Sequence, residues 1–286
     1  MARMDPNSVP DALRRIAPFP SGAVALLHRV PAAAGESYQV IDLIERDPQW
    51  QAGVAHLASP ERFAEGQDAG EIVKQLKADE LVKAAITAAC HGYIRDTGRS
   101  ELRRYWHYSV ACAIASDEIA RYGKVNRALA HCGGLLHDIG RLALMSAYPE
   151  RYANLLSLAE RMFNEGQEFE IAEYERILFG MDRYSIARWL AEAWELPALF
   201  LPIVTKYQDT GRARDLDFIT TVRFGCRLAN SLGFALMLGA RRAAPRQVLS
   251  ELPRFVQTQW TNFNDLRGTI ESRIACYEQP APAGTK

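Results

Sequence analysis

The sequence predicts an all-α protein. Apolar residues recur at intervals of three and four along most of the chain, which is the period of a helix that buries one face. Alternating runs of β-branched residues and Asn-Gly hairpin turns, which would indicate strands, are nearly absent. Proline, glycine and short polar residues stand where the periodic segments begin and end. No repeat with a period of about 20–50 residues is visible, so a solenoid is not expected.

The N-terminal part is predicted to consist of short helices separated by proline. Residues 1–17 form an N-terminal segment, and an N-terminal helical subdomain follows over residues 18–98. Proline ends a helix or occupies its first turn, and serine or aspartate just before it is a preferred cap. The expected boundaries are caps at Ser21 and Ser37, breaks at Asp47-Pro48 and Ser59-Pro60, and a longer helical stretch from Ile72 to Ile94 with an interruption near residue 78.

Residues 99–278 are predicted to form a larger helical core, and residues 279–286 a disordered tail rich in proline and alanine. Glycine after a periodic segment indicates a helix end, and asparagine or aspartate before one indicates a start. The expected helices cover residues 100–122, 126–137, 140–146, 149–166, 168–179, 182–194 and 197–207 and, after a charged linker at 212–217, residues 218–232 and onward to about 277.

The composition is that of an ordinary globular protein: 286 residues, 48% hydrophobic and 24% charged. The 34 Lys and Arg residues balance 34 Asp and Glu residues, so no net field favours nucleic acid or a membrane surface. Five scattered cysteines without a CxxC pair are expected to be reduced thiols. The start lacks an apolar signal core, and the longest apolar stretch is too short to cross a bilayer. We therefore expect a cytoplasmic protein without a nucleic-acid or membrane partner.

An adjacent histidine and aspartate, His137 and Asp138, stand in the run from Gly133 to Arg141 (GGLLHDIGR). Neighbouring residues on a helix point about 100° apart, so this pair can serve two sides of one buried metal pocket. In the alternative interpretation, His137 caps the end of one helix and Asp138 begins the next. The dipeptide alone favours this alternative, because His-Asp pairs are common by chance.

The segments around the pair extend the pattern. They are YWHYSVACA at 105–113, GLLHDIGR at 134–141, YERILFGMD at 174–182, WELP at 194–197 and RLANSLG at 227–233. This order and spacing resemble the HDOD domain, a bacterial signalling relative of the HD-type metal-dependent phosphohydrolases. The resemblance is strong between about residues 100 and 235 and weaker over 18–97, where IERDP at 44–48 is the best marker. It implies a multi-helix bundle like that of the HD superfamily, preceded by the N-terminal helical subdomain.

The resemblance also implies an HD site that has lost part of its ligand set. His107 matches the upstream metal-binding histidine, and His137 and Asp138 match the His-Asp pair of an HD hydrolase. Positions that often carry histidine or aspartate in that family have changed here. The changed positions are Arg183, Lys206, Tyr207 and Cys226. Fixed positive charge at two of these positions would raise the cost of binding a dication.

We hypothesise that Arg183 or Lys206 replaces the lost metal through a salt bridge to Asp138, because a buried carboxylate needs a partner. It is equally open that both cations face solvent. We expect no catalytic residue and no metal or other cofactor. A zinc site remains chemically feasible as an alternative, because a thiolate binds zinc. Its ligands would be His107, His137, Asp138 and Cys226.

The function implied by the resemblance is that of a non-catalytic signal-transduction protein, which binds a partner protein or a small ligand. One alternative is a metal-dependent phosphohydrolase acting on a nucleotide or cyclic dinucleotide, with His107, His137 and Asp138 as ligands. Another is a pseudo-enzyme that binds a phosphorylated ligand through Arg183 and Lys206. No second signalling module is recognisable, so we expect the output to come from the surfaces of this domain.

Overall fold

The computed structural model describes residues 9–30, 37–95, 100–205, 213–237, 243–260 and 262–278. Within these ranges the regular structure is helical and no strand is found, which confirms the predicted all-α class. The predictions for Lys206, Tyr207 and the tail at 279–286 lie outside the described residues. No helix in the ranges given above is long and apolar enough to cross a membrane.

The N-terminal part is built from short helices and one long helix. They are α1 (Asp11–Arg14), α2 (Ser21–Arg29), α3 (Ser37–Glu45), α4 (Pro48–Ala58), α5 (Pro60–Ala64), α6 (Ala69–Lys74) and α7 (Ala78–Arg95). The predicted break at Asp47 is confirmed, since its carboxylate accepts hydrogen bonds from the backbone N–H groups of Gln49 and Trp50 at the start of α4. The predicted cap at Ser21 is wrong: Pro20 occupies the cap position, and Ser21 is the first helical residue. Pro20 has φ of −53° and ψ of 125°, and its carbonyl accepts the first hydrogen bond of the helix from the N–H of Val24.

The larger core follows from residue 100. Its helices are α8 (Ser100–Ala120), α9 (Arg127–Leu136), α10 (Ile139–Ala147), α11 (Pro149–Asn164), α12 (Ile171–Phe179), α13 (Arg183–Ala193), α14 (Leu201–Thr205), α15 (Phe218–Ala229), α16 (Pro245–Ser250), α17 (Arg254–Gln259) and α18 (Phe263–Glu278). A short 3₁₀ turn (Ala198–Phe200) precedes α14, and a wider π turn (Asn230–Phe234) follows α15.

Several predicted boundaries of these helices are confirmed by their caps. Asn126 accepts a hydrogen bond from the N–H of Leu129 at the start of α9, and Asp182 accepts one from Ser185 at the start of α13, each at 2.8 Å. Gly180 ends α12 with φ of 81°, the left-handed conformation that glycine adopts at low cost. The caps therefore fix where the chain turns on either side of the His-Asp run.

Helix α8 lies at the centre of the fold, packed between α9 and α15. The contact with α9 is a contact between backbones, because a Cβ atom added at Gly134 would lie 2.6 Å from the backbone of Ala113. The N-terminal part shares the same hydrophobic core. It is joined to α9 by a 3.0 Å hydrogen bond between Thr87 and His131, both buried. The two predicted parts of the chain are thus packed as one body around α8.

Candidate functional site

His137 and Asp138 stand at the junction of two helices. His137 is the C-terminal cap of α9, and Asp138 occupies the N-cap position of α10. Both side chains are buried. The capping interpretation is therefore right about the positions, although Asp138 makes no side-chain hydrogen bond to the backbone of α10. Its carboxylate has another partner.

That partner is Arg141, one turn further along α10. The Nε atom of Arg141 lies 2.7 Å from Oδ2 of Asp138, and the two side chains are only 9% and 10% exposed. The Nε–H is not well aligned for a hydrogen bond, so charge attraction holds the pair. Burial by itself lowers the pKa of Arg141, but the charge of Asp138, together with Tyr152, Glu175 and Tyr108, outweighs it and holds that pKa above its usual range. A permanent cation therefore lies against the aspartate of the His-Asp pair.

Arg183 has a different role from the one expected, and the hypothesis that it pairs with Asp138 is wrong. Its Nε donates to Oε2 of Glu175 at 3.1 Å, and its backbone N–H donates to the same oxygen at 3.0 Å. The hydroxyl of Tyr152 donates to the other oxygen of Glu175 at 2.6 Å. Glu175 is fully buried, and burial raises its pKa, opposed by the charge of Arg141 and the hydrogen bond from Tyr152. Glu175, and not Asp138, is therefore the partner of Arg183.

The close packing of α10 on α13 explains how the two ion pairs come together. A Cβ atom at Gly140 would lie 1.8 Å from the backbone oxygen of Arg183, so only glycine fits there. This contact places the start of α13 directly against the turn that carries Asp138 and Arg141. The i, i+3 spacing of Asp138 and Arg141 could have identified this pair from the sequence, which was missed. The single carboxylate on the apolar face of α12 was the corresponding signal for Glu175.

His107 lies away from the His-Asp pair. Its Nε2 is 2.6 Å from Oε1 of Glu278, and Arg103 contacts the same carboxylate at 2.5 and 2.7 Å. The hydrogen bond from Arg103, with help from His107, holds the pKa of Glu278 down at about 2. The partially exposed His107 therefore joins α8 to the end of α18. The structure does not bring it to His137 or Asp138.

Cys226 does lie beside His137, together with a residue that the sequence analysis did not select. The Sγ atoms of Cys112 and Cys226 and a ring nitrogen of His137 all lie within 4.8 Å of one another, and all three side chains are buried. The Nδ1 atom of His137 is 2.8 Å from the carbonyl oxygen of Gly134, and Nε2 is 3.2 Å from the hydroxyl of Tyr108.

Burial and neighbouring groups shift the pKa values of Cys112 and His137. Burial raises the pKa of the Cys112 thiol well above its usual range. Burial lowers the pKa of His137, but the adjacent sulfur of Cys226 and the carboxylate of Asp138 raise it to about 9. We name Cys112, His137 and Cys226 the Cys-His cluster. Cys112 carried no signal in the sequence, because its proximity to Cys226 follows from the packing of α8 against α15.

The residues present do not fit the metal site of an HD hydrolase. Of the four ligand positions that the sequence analysis named, the described structure brings only His137 and Cys226 together. His107 is bound to Glu278, and Asp138 is paired with Arg141. An arginine in contact with a ligand carboxylate opposes a dication by charge repulsion. We therefore derive no reaction step through such a metal.

Three solved structures share this fold. An HDOD domain protein of unknown function from Geobacter sulfurreducens matches with a TM-score of 0.67 at 17% identity, covering 94% of this chain and 96% of its own. A protein of Marinobacter aquaeolei VT8, named provisionally for signal transduction, matches with a TM-score of 0.65 at 22% identity and covers 94% of this chain. A protein of Shewanella amazonensis SB2B, named provisionally as a phosphohydrolase, matches with a TM-score of 0.62 at 18% identity, covering 93% of this chain and 96% of its own. At these identities the likeness shows the fold alone.

This chain spans 64% of the length of the Marinobacter protein. No curated protein matches the sequence significantly. A family model does match: the model of the HDOD domain covers residues 16–210. That range holds most of the N-terminal helices together with the His-Asp run and both ion pairs. The chain belongs to the HDOD domain family.

Proposed function

We propose that this chain is a non-catalytic regulatory domain in signal transduction and that it acts by binding a partner protein. The ion pair between Arg141 and Asp138 carries the proposal. In this pair Arg141 binds the carboxylate of Asp138, which an HD hydrolase would use to bind metal. Both side chains are buried, and the positive charge of Arg141 is permanent. A protein with this arrangement keeps the HD scaffold and offers its surfaces for binding.

Helix α12 is the surface that we propose for the partner. Glu175 faces inward from this helix and holds Arg183. The outer face carries Tyr174, Ile177 and Leu178, which are 37%, 76% and 36% exposed. Their i, i+3, i+4 spacing makes one apolar stripe, which we name the α12 stripe. Exposed apolar patches of this kind mark sites of protein interaction.

The names of the structural relatives support different activities. The Marinobacter protein carries a provisional name in signal transduction, whereas the Shewanella protein carries a provisional name as a phosphohydrolase. The residues of this chain favour the first activity, because His107, Asp138 and Arg183 are each bound to another side chain. A phosphorylated ligand would also have to compete with Glu175 for the Nε of Arg183 and reach a side chain that is only 8% exposed.

The experiment compares three affinity-tagged baits expressed in the native cell: the wild-type chain, Ile177→Asp and Ile219→Asp. Ile219 is a matched control, since it is 41% exposed and lies on α15. We expect a partner that the wild type and the control capture equally, with recovery reduced at least about tenfold by the aspartate at position 177. Equal recovery with all three baits contradicts the use of the α12 stripe. Strong thermal stabilisation by a nucleotide or cyclic dinucleotide supports a small ligand instead.

A further inference from the structure

We propose that Cys112, His137 and Cys226 form a zinc-binding site that joins helices α8, α9 and α15. This inference is independent of the proposed partner binding. It also differs from the zinc site that the sequence suggested, since His107 and Asp138 are replaced by a second cysteine. Thiolate and imidazole are the ligands that zinc prefers in structural sites.

The separation of the ligand atoms suits a tetrahedral ion. With zinc–sulfur bonds of about 2.3 Å and zinc–nitrogen bonds of about 2.0 Å, neighbouring ligands lie roughly 3.5–3.8 Å apart. The three ligand atoms of the Cys-His cluster are already within 4.8 Å of one another. A closure of at most about 1.0–1.3 Å at each pair is enough, which rotation about the side-chain bonds supplies.

The histidine is already oriented for a metal. A carbonyl oxygen only accepts hydrogen bonds, so the contact between Nδ1 of His137 and the oxygen of Gly134 requires the proton to be on Nδ1. In the neutral ring, the lone pair is then on Nε2. Metal-binding histidines are typically held in this way by a carbonyl or carboxylate behind the ring. The backbone of α9 thus supplies the outer hydrogen bond that a zinc ligand needs.

Tyr108 supplies the polar group on the other side. Its hydroxyl lies 3.2 Å from Nε2 of His137 and also hydrogen-bonds the sulfur of Cys112. Without metal, this hydroxyl donates to Nε2 of the neutral ring or accepts from it when the ring is protonated. With zinc on Nε2, the hydroxyl can donate to the thiolate of Cys112 or stand beside the fourth coordination position. Either arrangement keeps a buried polar group satisfied.

Charge balance favours a dication with two thiolates in this interior. The two cysteines are fully buried and His137 is 3% exposed, so a site with net charge would carry a large desolvation cost. Zinc displaces one proton from each thiol, and two thiolates with a neutral imidazole give a site of zero net charge. The nearby Arg141 is already neutralised by Asp138. The cluster therefore accepts zinc without leaving an unpaired charge in the core.

The test measures zinc by elemental mass spectrometry in the reduced full-length chain, after equilibration with zinc and removal of weakly bound metal. We expect about one zinc ion per chain for the wild type and a loss of most of it in Cys112→Ala and in Cys226→Ala. Two control variants should keep the metal. Cys132→Ala removes an equally buried thiol of α9, and His107→Ala removes the histidine that an HD-type site would use.

If a cysteine variant loses its helical circular dichroism and so does not fold, loading the wild-type chain with cobalt provides a second test. We expect the wild-type chain loaded with Co²⁺ to show thiolate-to-metal charge-transfer absorption and the strong visible bands of a tetrahedral centre. A folded, reduced wild-type chain that retains no zinc and shows no such bands overturns the proposal. Retention of zinc in Cys112→Ala or in Cys226→Ala also overturns it. Loss of zinc in His107→Ala would place the metal at the HD positions and overturn it as well.

Discussion

The side chains of Asp138 and Arg141 form a buried ion pair within one turn of α10, with 2.7 Å between Nε and Oδ2. The aspartate of the His-Asp run is therefore neutralised by a residue of the same run. Arg141 supplies the positive charge beside Asp138. Arg183 pairs with Glu175 instead. This local pair is the reason that we regard the HD positions as closed.

Replacing Arg141 with methionine should destabilise the protein strongly. Methionine keeps much of the volume but leaves Asp138 buried without a cation, and breaking one side of a buried pair costs about 3–5 kcal/mol. Chemical denaturation of Arg141→Met against wild type measures this loss of unfolding free energy. The double variant Arg141→Met with Asp138→Asn should recover part of it. If the single variant is as stable as the double variant, Asp138 does not depend on the arginine.

The ion pairs at the end of α18 should contribute far less. Glu278 is bound by Arg103 and His107, but these side chains are 26%, 66% and 32% exposed. Exposed pairs contribute about 1 kcal/mol or less, because solvent screens them. Glu278→Gln should therefore lower the free energy of unfolding by less than about 1 kcal/mol in the same denaturation experiment. A loss comparable to that of Arg141→Met would show that α18 is tied to α8 more firmly than this exposure indicates.

Alanine at position 140 should be disruptive although the change is one methyl group. The new Cβ would lie 1.8 Å from the oxygen of Arg183, in backbone that cannot easily move. Overpacking of this kind costs about 1–3 kcal/mol or more. Gly268→Ala is the matched control, since nothing lies within 4 Å of its Cβ on the exposed face of α18. There alanine should stabilise by roughly 0.5–1 kcal/mol, so thermal melting should shift in opposite directions for the two variants.

Lowering the pH should reduce the free energy of unfolding, because His131 is buried in its neutral form. Burial lowers the pKa of this histidine to about 4, whereas the unfolded chain binds a proton near pH 6.5. Between these values the unfolded state carries more protons, so stability falls as pH falls from about 6.5 towards 4. From pH 7 to pH 5 the loss should be about 2 kcal/mol. His131→Gln should remove that part of the slope, measured as unfolding free energy at both pH values. An unchanged slope would mean that His131 is not buried in its neutral form.

The helix boundaries were predictable where they depend on local chemistry. Asp47, Asn126 and Asp182 cap helices through their own side chains, and Gly180 ends one through its left-handed backbone. These effects act within three or four residues, so the sequence shows them directly. The cap of α2 was predicted one residue too late, because Pro20 and Ser21 are both residues that often begin a helix. Pro20 is the N-cap residue in the structure.

The partners within the site were less predictable, because they depend on how distant helices cross. From the sequence, Arg183 could pair with more than one carboxylate, and only the packing of α12 shows that Glu175 is the partner. Cys112 and Cys226 are far apart in the sequence and meet only where α8 and α15 pack together. His107 matched the HD pattern, but its partner Glu278 lies 171 residues further along the chain. The family resemblance located the site, and the structure assigned its contacts.

Metal-dependent hydrolysis by the purified chain tests the central claim, that the HD positions are closed to catalysis. The reduced protein is assayed with manganese, magnesium, iron and zinc on a generic phosphodiester and on a cyclic dinucleotide, with His137→Ala as the matched variant. We predict no turnover above the buffer rate with any metal and no difference between the two proteins. Metal-dependent turnover by the wild type that His137→Ala abolishes would contradict the account, and zinc bound without turnover would not.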